Sequence, residues 1–179
     1  HRVSCGIQPG TNLPTHMTTM AMELVRPGEL KLARGGGGLA AIGLGSCVAV
    51  ALHDAEVGLG GLCHALLPHP LNGRPAVPRG RFATLAIPAL VEMLEAAGAD
   101  RRRLTARLVG GASMFPGLVS EGGRAMGERN IEACRQALAE AGIRITGEEV
   151  GGTYGRSAYF HPEDGRIIIR TVRSAEVVL

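Results

Sequence analysis

Ile42-Gly43-Leu44-Gly45-Ser46-Cys47 leads into Val48-Ala49-Val50-Ala51-Leu52-His53, then Asp54-Ala55-Glu56-Val57-Gly58, then Leu59-Gly60-Gly61-Leu62-Cys63-His64-Ala65-Leu66-Leu67. Short apolar runs bounded by a glycine turn and an acidic turn predict buried strands, and connections this short predict antiparallel neighbours. The first turn delivers a cysteine, and a histidine follows it 17 positions later in the next strand. Glycines let a backbone turn sharply and leave amide N–H groups unshielded beside the sulfur, as an oxyanion binder requires. Successive side chains on a strand point to opposite faces. Cys63 is therefore expected to face the core, with Leu62, His64 and Leu66 on the other side.

Outward from this stretch, Leu30 and Leu32 alternate with polar neighbours as in a half-buried strand, and Leu39 to Gly43 forms the run before the glycine turn. A helix is predicted at Phe82 to Ala97, where Phe82, Leu85, Ala86, Ala89, Leu90, Met93 and Leu94 make one stripe. Pro88 within it predicts a kink or a start at that residue. A strand from Leu104 to Val109 runs into a glycine-rich loop, and a second helix is predicted over Glu128 to Ala141. Its inner face carries Ile131, Cys134, Leu138 and Ala141, and Gly142 ends it. Strands are predicted at Ile143 to Val150, Ser157 to Phe160 and Arg166 to Val172. The expected fold class is α+β, an α/β sandwich of mostly antiparallel layers with two main helices.

The chain of 179 residues suits one domain. His1 is not an initiator, and His16-Met17 resembles a cloning junction. Residues 1–16 are set aside as a vector-derived or native extension without fixed structure, and 17–179 are expected to form the single domain. A formal charge of +3, three Phe, two Tyr and no Trp argue against a base-stacking nucleic-acid surface. Arg101-Arg102-Arg103, just after a helix end, reads as a solvated basic run. Four cysteines without the dense spacing of a disulfide framework favour a reducing cytoplasm. No apolar stretch is long enough to span a membrane, and no signal peptide is recognised.

A lone cysteine is more often packing than chemistry. The Gly-Leu-Gly-Ser turn before Cys47 and the histidine after it point instead to a thiol nucleophile whose proton His64 takes, with Gly45 and Ser46 supporting the oxyanion turn. Metal binding is the rival use of Cys47, His53, Cys63, His64 and His69, but no paired ligand spacing occurs, and His53 beside Asp54 reads as an exposed turn residue. The loops Gly110 to Gly123 and Gly151 to Gly155 lack a Walker lysine, so nucleotide binding is not expected. They are expected to shape a cleft through Gly110, Gly111, Gly151 and Gly152, with Phe115 at a partner contact and Arg156 anchoring a loop.

Five ordered segments carry a family resemblance: Ile42 to Cys47, Gly60 to Pro68, Gly110 to Phe115, Gly127-Glu128-Arg129-Asn130 and Val150 to Arg156. Together they resemble CheD, the chemoreceptor glutamine deamidase of bacterial chemotaxis. The resemblance implies a cytoplasmic sandwich similar to the catalytic domain of cytotoxic necrotizing factor. It implies a protein-glutamine glutaminase that needs no cofactor or metal and converts glutamines of methyl-accepting receptors to glutamate. Cys47 falls on the family nucleophile and His64 on its histidine. Glutamate methylesterase activity is a neighbouring chemistry. The alternative is a weakly active or inactive binding module that regulates a CheC-type phosphatase. Neither nucleic acid nor membrane insertion is implied. The family usually has threonine six residues before the cysteine, where this chain has Ala41. A backbone carbonyl, a water or another hydroxyl would then have to orient the imidazole.

Overall fold

The computed structural model describes residues 21–71, 78–115, 117, 119, 122–173 and 175–179. The expectation for residues 1–16 lies outside them. In chain order come β1 (Met22–Leu24), β2 (Leu30–Arg34), β3 (Gly38–Leu44), β4 (Val48–Asp54), β5 (Leu59–Ala65), α1 (Ala83–Ala96), β6 (Thr105–Gly110), α2 (Met126–Glu140), β7 (Arg144–Val150), β8 (Arg156–Phe160), β9 (Ile167–Thr171) and β10 (Val177–Val178). One sheet has the order β1-β3-β8-β9-β10 and the other β2-β5-β4-β6-β7. Most pairs are antiparallel, while β1 with β3 and β6 with β7 are parallel. The fold is α+β.

The layers follow from which side chains each strand sends to each face. From the β2-β5-β4-β6-β7 sheet, Val48, Val50, Leu52, Cys63 and Leu108 pack with Ile87, Leu90 and Leu94 of α1 and Cys134 and Leu138 of α2. The opposite face sends Ala49, Ala51, Leu62 and Val109 against Leu39, Leu44, Phe160 and Ile169 of the other sheet. Covered on both sides, β4 and β5 are buried at every position, so their sequences read as continuous apolar runs rather than alternating ones. The β6–α2–β7 segment is a parallel crossover, and it carries the α2 N-terminus to the β3–β4 turn.

Two expectations are corrected. α1 begins at Ala83 and runs through Pro88 to Ala96, so the helix does not start at Pro88; Pro88 lies on the exposed face, where its ring meets solvent and not the core. His53 is buried: it is 4% exposed, its Nε2 lies 2.8 Å from the Pro162 carbonyl, and its ring meets Phe160 edge-on. Arg101–Arg103 forms a single 3₁₀ turn in which Arg101 and Arg102 are exposed, as a solvated basic run is, while Arg103 is half-buried. Arg103 there donates to the fully buried carboxylate of Asp54, Nη2 to Oδ2 at 2.8 Å. This guanidinium, foremost among its partners, holds the Asp54 carboxyl below the usual carboxylate range.

Candidate active site

Cys47 ends the turn between β3 and β4, one residue before the paired stretch of β4 begins. In the β4–β5 ladder Val48 pairs with Ala65 and Ala49 with His64. Cys47 and Ala49 share one strand face, so Cys47 and His64 are diagonal neighbours on it, with backbones about 7–8 Å apart. Both look into the space between the sheets, where Cys47 packs half-buried against the inner cluster. Cys63 and Cys134 lie on the helix side, fully buried. Burial pushes the Cys63 thiol up to about 12 and raises that of Cys134 as well.

His64 is 1% exposed. Its Nδ1 lies 3.1 Å from the carbonyl oxygen of Val25. A carbonyl only accepts, so Nδ1 carries the proton and Nε2 of the neutral ring is a free lone pair. Among the described residues Nε2 has no hydrogen-bond partner. Chain segment 25–29 also grips the histidine's backbone: Gly28 N–H donates to the His64 carbonyl at 2.8 Å, and His64 N–H to the Glu29 carbonyl at 3.1 Å. Burial lowers the affinity of His64 for a second proton, and the Val25 carbonyl opposes this only in part. Burial likewise raises the Cys47 thiol, while hydrogen bonding from its own backbone N–H acts the other way. Both shifts favour the neutral forms, a thiol at Cys47 and an imidazole at His64.

The turn bearing Cys47 is held from outside. Gly111 N–H donates to the Cys47 carbonyl and Ala112 N–H to the Gly45 carbonyl, both at 2.8 Å. Asn130 of α2 donates from Nδ2 to the Ser46 carbonyl at 2.8 Å and to the Leu66 carbonyl at 2.9 Å. Gly110 has φ +115, and a Cβ there would lie 2.3 Å from the Cys47 carbonyl oxygen, so both conformation and space require glycine. Gly127 makes the same allowance for α2, since a Cβ there would lie 2.3 Å from the Gly111 carbonyl oxygen. The loop after β7 joins this cluster through Ser113 N–H to the Gly152 carbonyl and Gly151 N–H to the Gly110 carbonyl. Arg156 is buried beneath that loop, donates to the carbonyls of Glu149 and Gly151, and stacks over Tyr154 at 4.6 Å.

The profile of a family described as "CheD chemotactic sensory transduction" matches residues 66–171. The chain belongs to the CheD family. A relative from Archaeoglobus fulgidus, named "Probable chemoreceptor glutamine deamidase CheD", is 41% identical over 154 residues, covering 86% of this chain and 96% of that one. Another of that name from Symbiobacterium thermophilum is 42% identical, with 89% and 98% covered. Among solved structures, the crystal structure of Bacillus licheniformis hypothetical protein YfiH aligns with a TM-score of 0.43 at 19% identity, covering 67% of this chain and 49% of that one.

In this CheD-family chain Ala41 is buried in the inner cluster and offers no polar atom from its side chain. Among the described residues, the group that meets the imidazole is one of those expected to hold it, a backbone carbonyl, that of Val25. Beside Ser46 lies a pocket of about 180 Å³, lined by Ser113, Met114, Phe115, Ala125 and Met126. Phe115 at its rim is 70% exposed. Among the described residues no three His, Cys, Asp or Glu side chains gather as metal ligands, and no helix is long and apolar enough to cross a membrane. Sequence reasoning assigned no role to Asn130 or to the Val25 carbonyl. The signal for the first was a polar residue within the apolar stripe of α2; the second leaves none, because any residue supplies a carbonyl.

Proposed function

We propose that this chain acts in the cytoplasm as a deamidase that converts glutamine side chains of methyl-accepting chemoreceptors to glutamate, with Cys47 as nucleophile and His64 as general base and acid. The observation that carries the reading is the state of His64: Nδ1 is tied to a carbonyl, and Nε2 is left bare on the face that Cys47 shares. The names of relatives that match across most of this chain support the substrate class.

A neutral pair works by transferring its proton only as bonds change. His64 Nε2 takes the thiol proton as sulfur attacks the carboxamide carbon, and the carbonyl oxygen becomes an oxyanion facing turn amides such as that of Cys47. The imidazolium gives its proton to the departing nitrogen, the C–N bond breaks, ammonia leaves and a thioester remains. Water then attacks the thioester carbon while Nε2 accepts its proton. The C–S bond breaks, the thiol is restored, and the product is a carboxylate. A glutamate methyl ester would enter the same thioester with methanol as leaving group.

The pocket beside Ser46, with its methionines and exposed Phe115, suits a helical receptor surface approaching that turn. The binding-module alternative rests on Ala41, and the Val25 carbonyl weakens it by supplying an orienting acceptor. The test is ammonia release from a glutamine-bearing receptor cytoplasmic fragment, with the mass change of carboxamide-to-carboxylate conversion, for the wild type and Cys47→Ala. Conversion that depends on Cys47 is the expected result. A cognate receptor left unmodified by the wild type, with a CheC-type phosphatase still bound, would replace the enzyme reading with the adaptor.

A further inference from the structure

Asn130 is wholly buried on a helix face otherwise built from Gly127, Ile131, Cys134 and Leu138. A buried amide is costly unless satisfied, and this one leaves its Oδ1 without a partner among the described residues. Filling space would be done better by an apolar side chain. What the amide does is donate twice, to the Ser46 and Leu66 carbonyls. Two acceptors also fix its orientation, because an exchanged oxygen would face both carbonyl oxygens.

Those carbonyls belong to the two segments that carry the chemistry. Ser46 precedes Cys47, and Leu66 lies two residues beyond His64 where β5 ends. One amide therefore ties the ends of the nucleophile and base segments together. It also acts along the chain, since the Ser46 carbonyl and the Cys47 N–H are opposite ends of one peptide unit. A donor at the carbonyl polarises that unit and makes the N–H a stronger donor. The Cys47 N–H belongs to the same residue as the sulfur, beside which the oxyanion forms.

We infer that Asn130 is a positioning residue for the deamidation, holding the Cys47 and His64 segments in register and strengthening the Cys47 backbone N–H as a donor. This rests on the reading of Cys47 as the nucleophile. The experiment compares wild type, Asn130→Ala and Leu138→Ala, the last removing packing from the same helix without touching either carbonyl. Two readouts are taken, receptor-fragment conversion and the pH profile of Cys47 alkylation by iodoacetamide in a Cys5→Ser background. Asn130→Ala is expected to lower kcat about 10- to 100-fold with KM within about twofold. Its alkylation profile should move to higher pH, while Leu138→Ala loses stability but keeps the wild-type profile.

A folded Asn130→Ala with wild-type alkylation, or an equal loss in Leu138→Ala, overturns the inference. If the wild type converts no receptor glutamine, the deamidase reading fails alone, and alkylation still decides the role of Asn130. Should Asn130→Ala not fold, NMR of the wild type decides. The two Asn130 amide protons are expected to exchange slowly and to shift when Cys47 is alkylated; rapid exchange or no shift overturns the inference.

Discussion

Gly127→Ala separates close packing from helix propensity, because the two predict opposite signs. Alanine in place of a helical glycine ordinarily stabilises by up to about 1 kcal/mol. Here the new methyl would stand 2.3 Å from the Gly111 carbonyl oxygen and 2.7 Å from that of Ala112, where 3.4 Å is an ordinary contact. The backbone at 111–112 would have to retreat by about 1.1 Å, the difference between the shorter distance and the ordinary one. That backbone donates the two 2.8 Å hydrogen bonds to the Cys47 and Gly45 carbonyls. Overpacking costs about 1–3 kcal/mol and each strained hydrogen bond about 0.5–1.5 kcal/mol. Less a propensity gain of about 1 kcal/mol, the net loss is about 1–5 kcal/mol, a fall in Tm of roughly 2–20 °C for a domain of this size. Urea unfolding measures it, with Gly36→Ala as control, since nothing lies within 4 Å of a Cβ there. Cys47 alkylation should also slow in Gly127→Ala. A variant as stable as wild type, with an unchanged alkylation rate, would refute the reasoning.

The same chemistry sets pH, labelling and charge behaviour. With His64 lowered from 6.5 by burial, its neutral form persists into mildly acid solution, so the acid limb of receptor conversion should fall below pH 6.5. His64→Ala should remove that limb and reduce turnover about 10²–10⁴-fold in a pH–rate series. In a Cys5→Ser background, native protein should take up one iodoacetamide per chain, on Cys47, because Cys63 and Cys134 are buried with raised thiols; peptide mass mapping checks this, and labelling of Cys63 before unfolding would contradict the layer assignment. Arg103→Leu should destabilise by stranding the Asp54 carboxylate. The paired carboxyl titrates below its ordinary value, so its contribution is present above that value and lost as pH falls through the folded one. Thermal unfolding should therefore show the largest gap from wild type near neutral pH and a shrinking gap in acid.

The central strands were legible because β4 and β5 are continuous apolar runs on either side of the Asp54–Gly58 turn, the pattern that two-sided burial produces. β1 and β10 were not. Met22–Leu24 and Val177–Val178 are too short to show a period and are held by pairing with β3 and β9. The face alternation that separates Cys63 from His64 could be read directly from their adjacency. His53 misled because a histidine beside aspartate at a turn looks exposed, whereas Phe160 at the end of β8 and the 161–165 turn close over it: a Cβ at Gly165 would lie 2.4 Å from its Nδ1. Asn130 could be placed on the inner stripe but not aimed, because its partners are carbonyls from segments 84 and 64 residues away.

The acceptor that holds the imidazole of His64 belongs to the main chain at Val25, and so no codon specifies it. Substituting Val25 with isoleucine or alanine changes the packing but leaves the carbonyl in place. What the site cannot tolerate is loss of the three-residue strand that carries the carbonyl into position. The orienting group is thus robust to point mutation and vulnerable to deletion or slippage at the start of the fold. A side-chain hydroxyl at position 41 can in consequence be lost without depriving the His64 imidazole of its anchor.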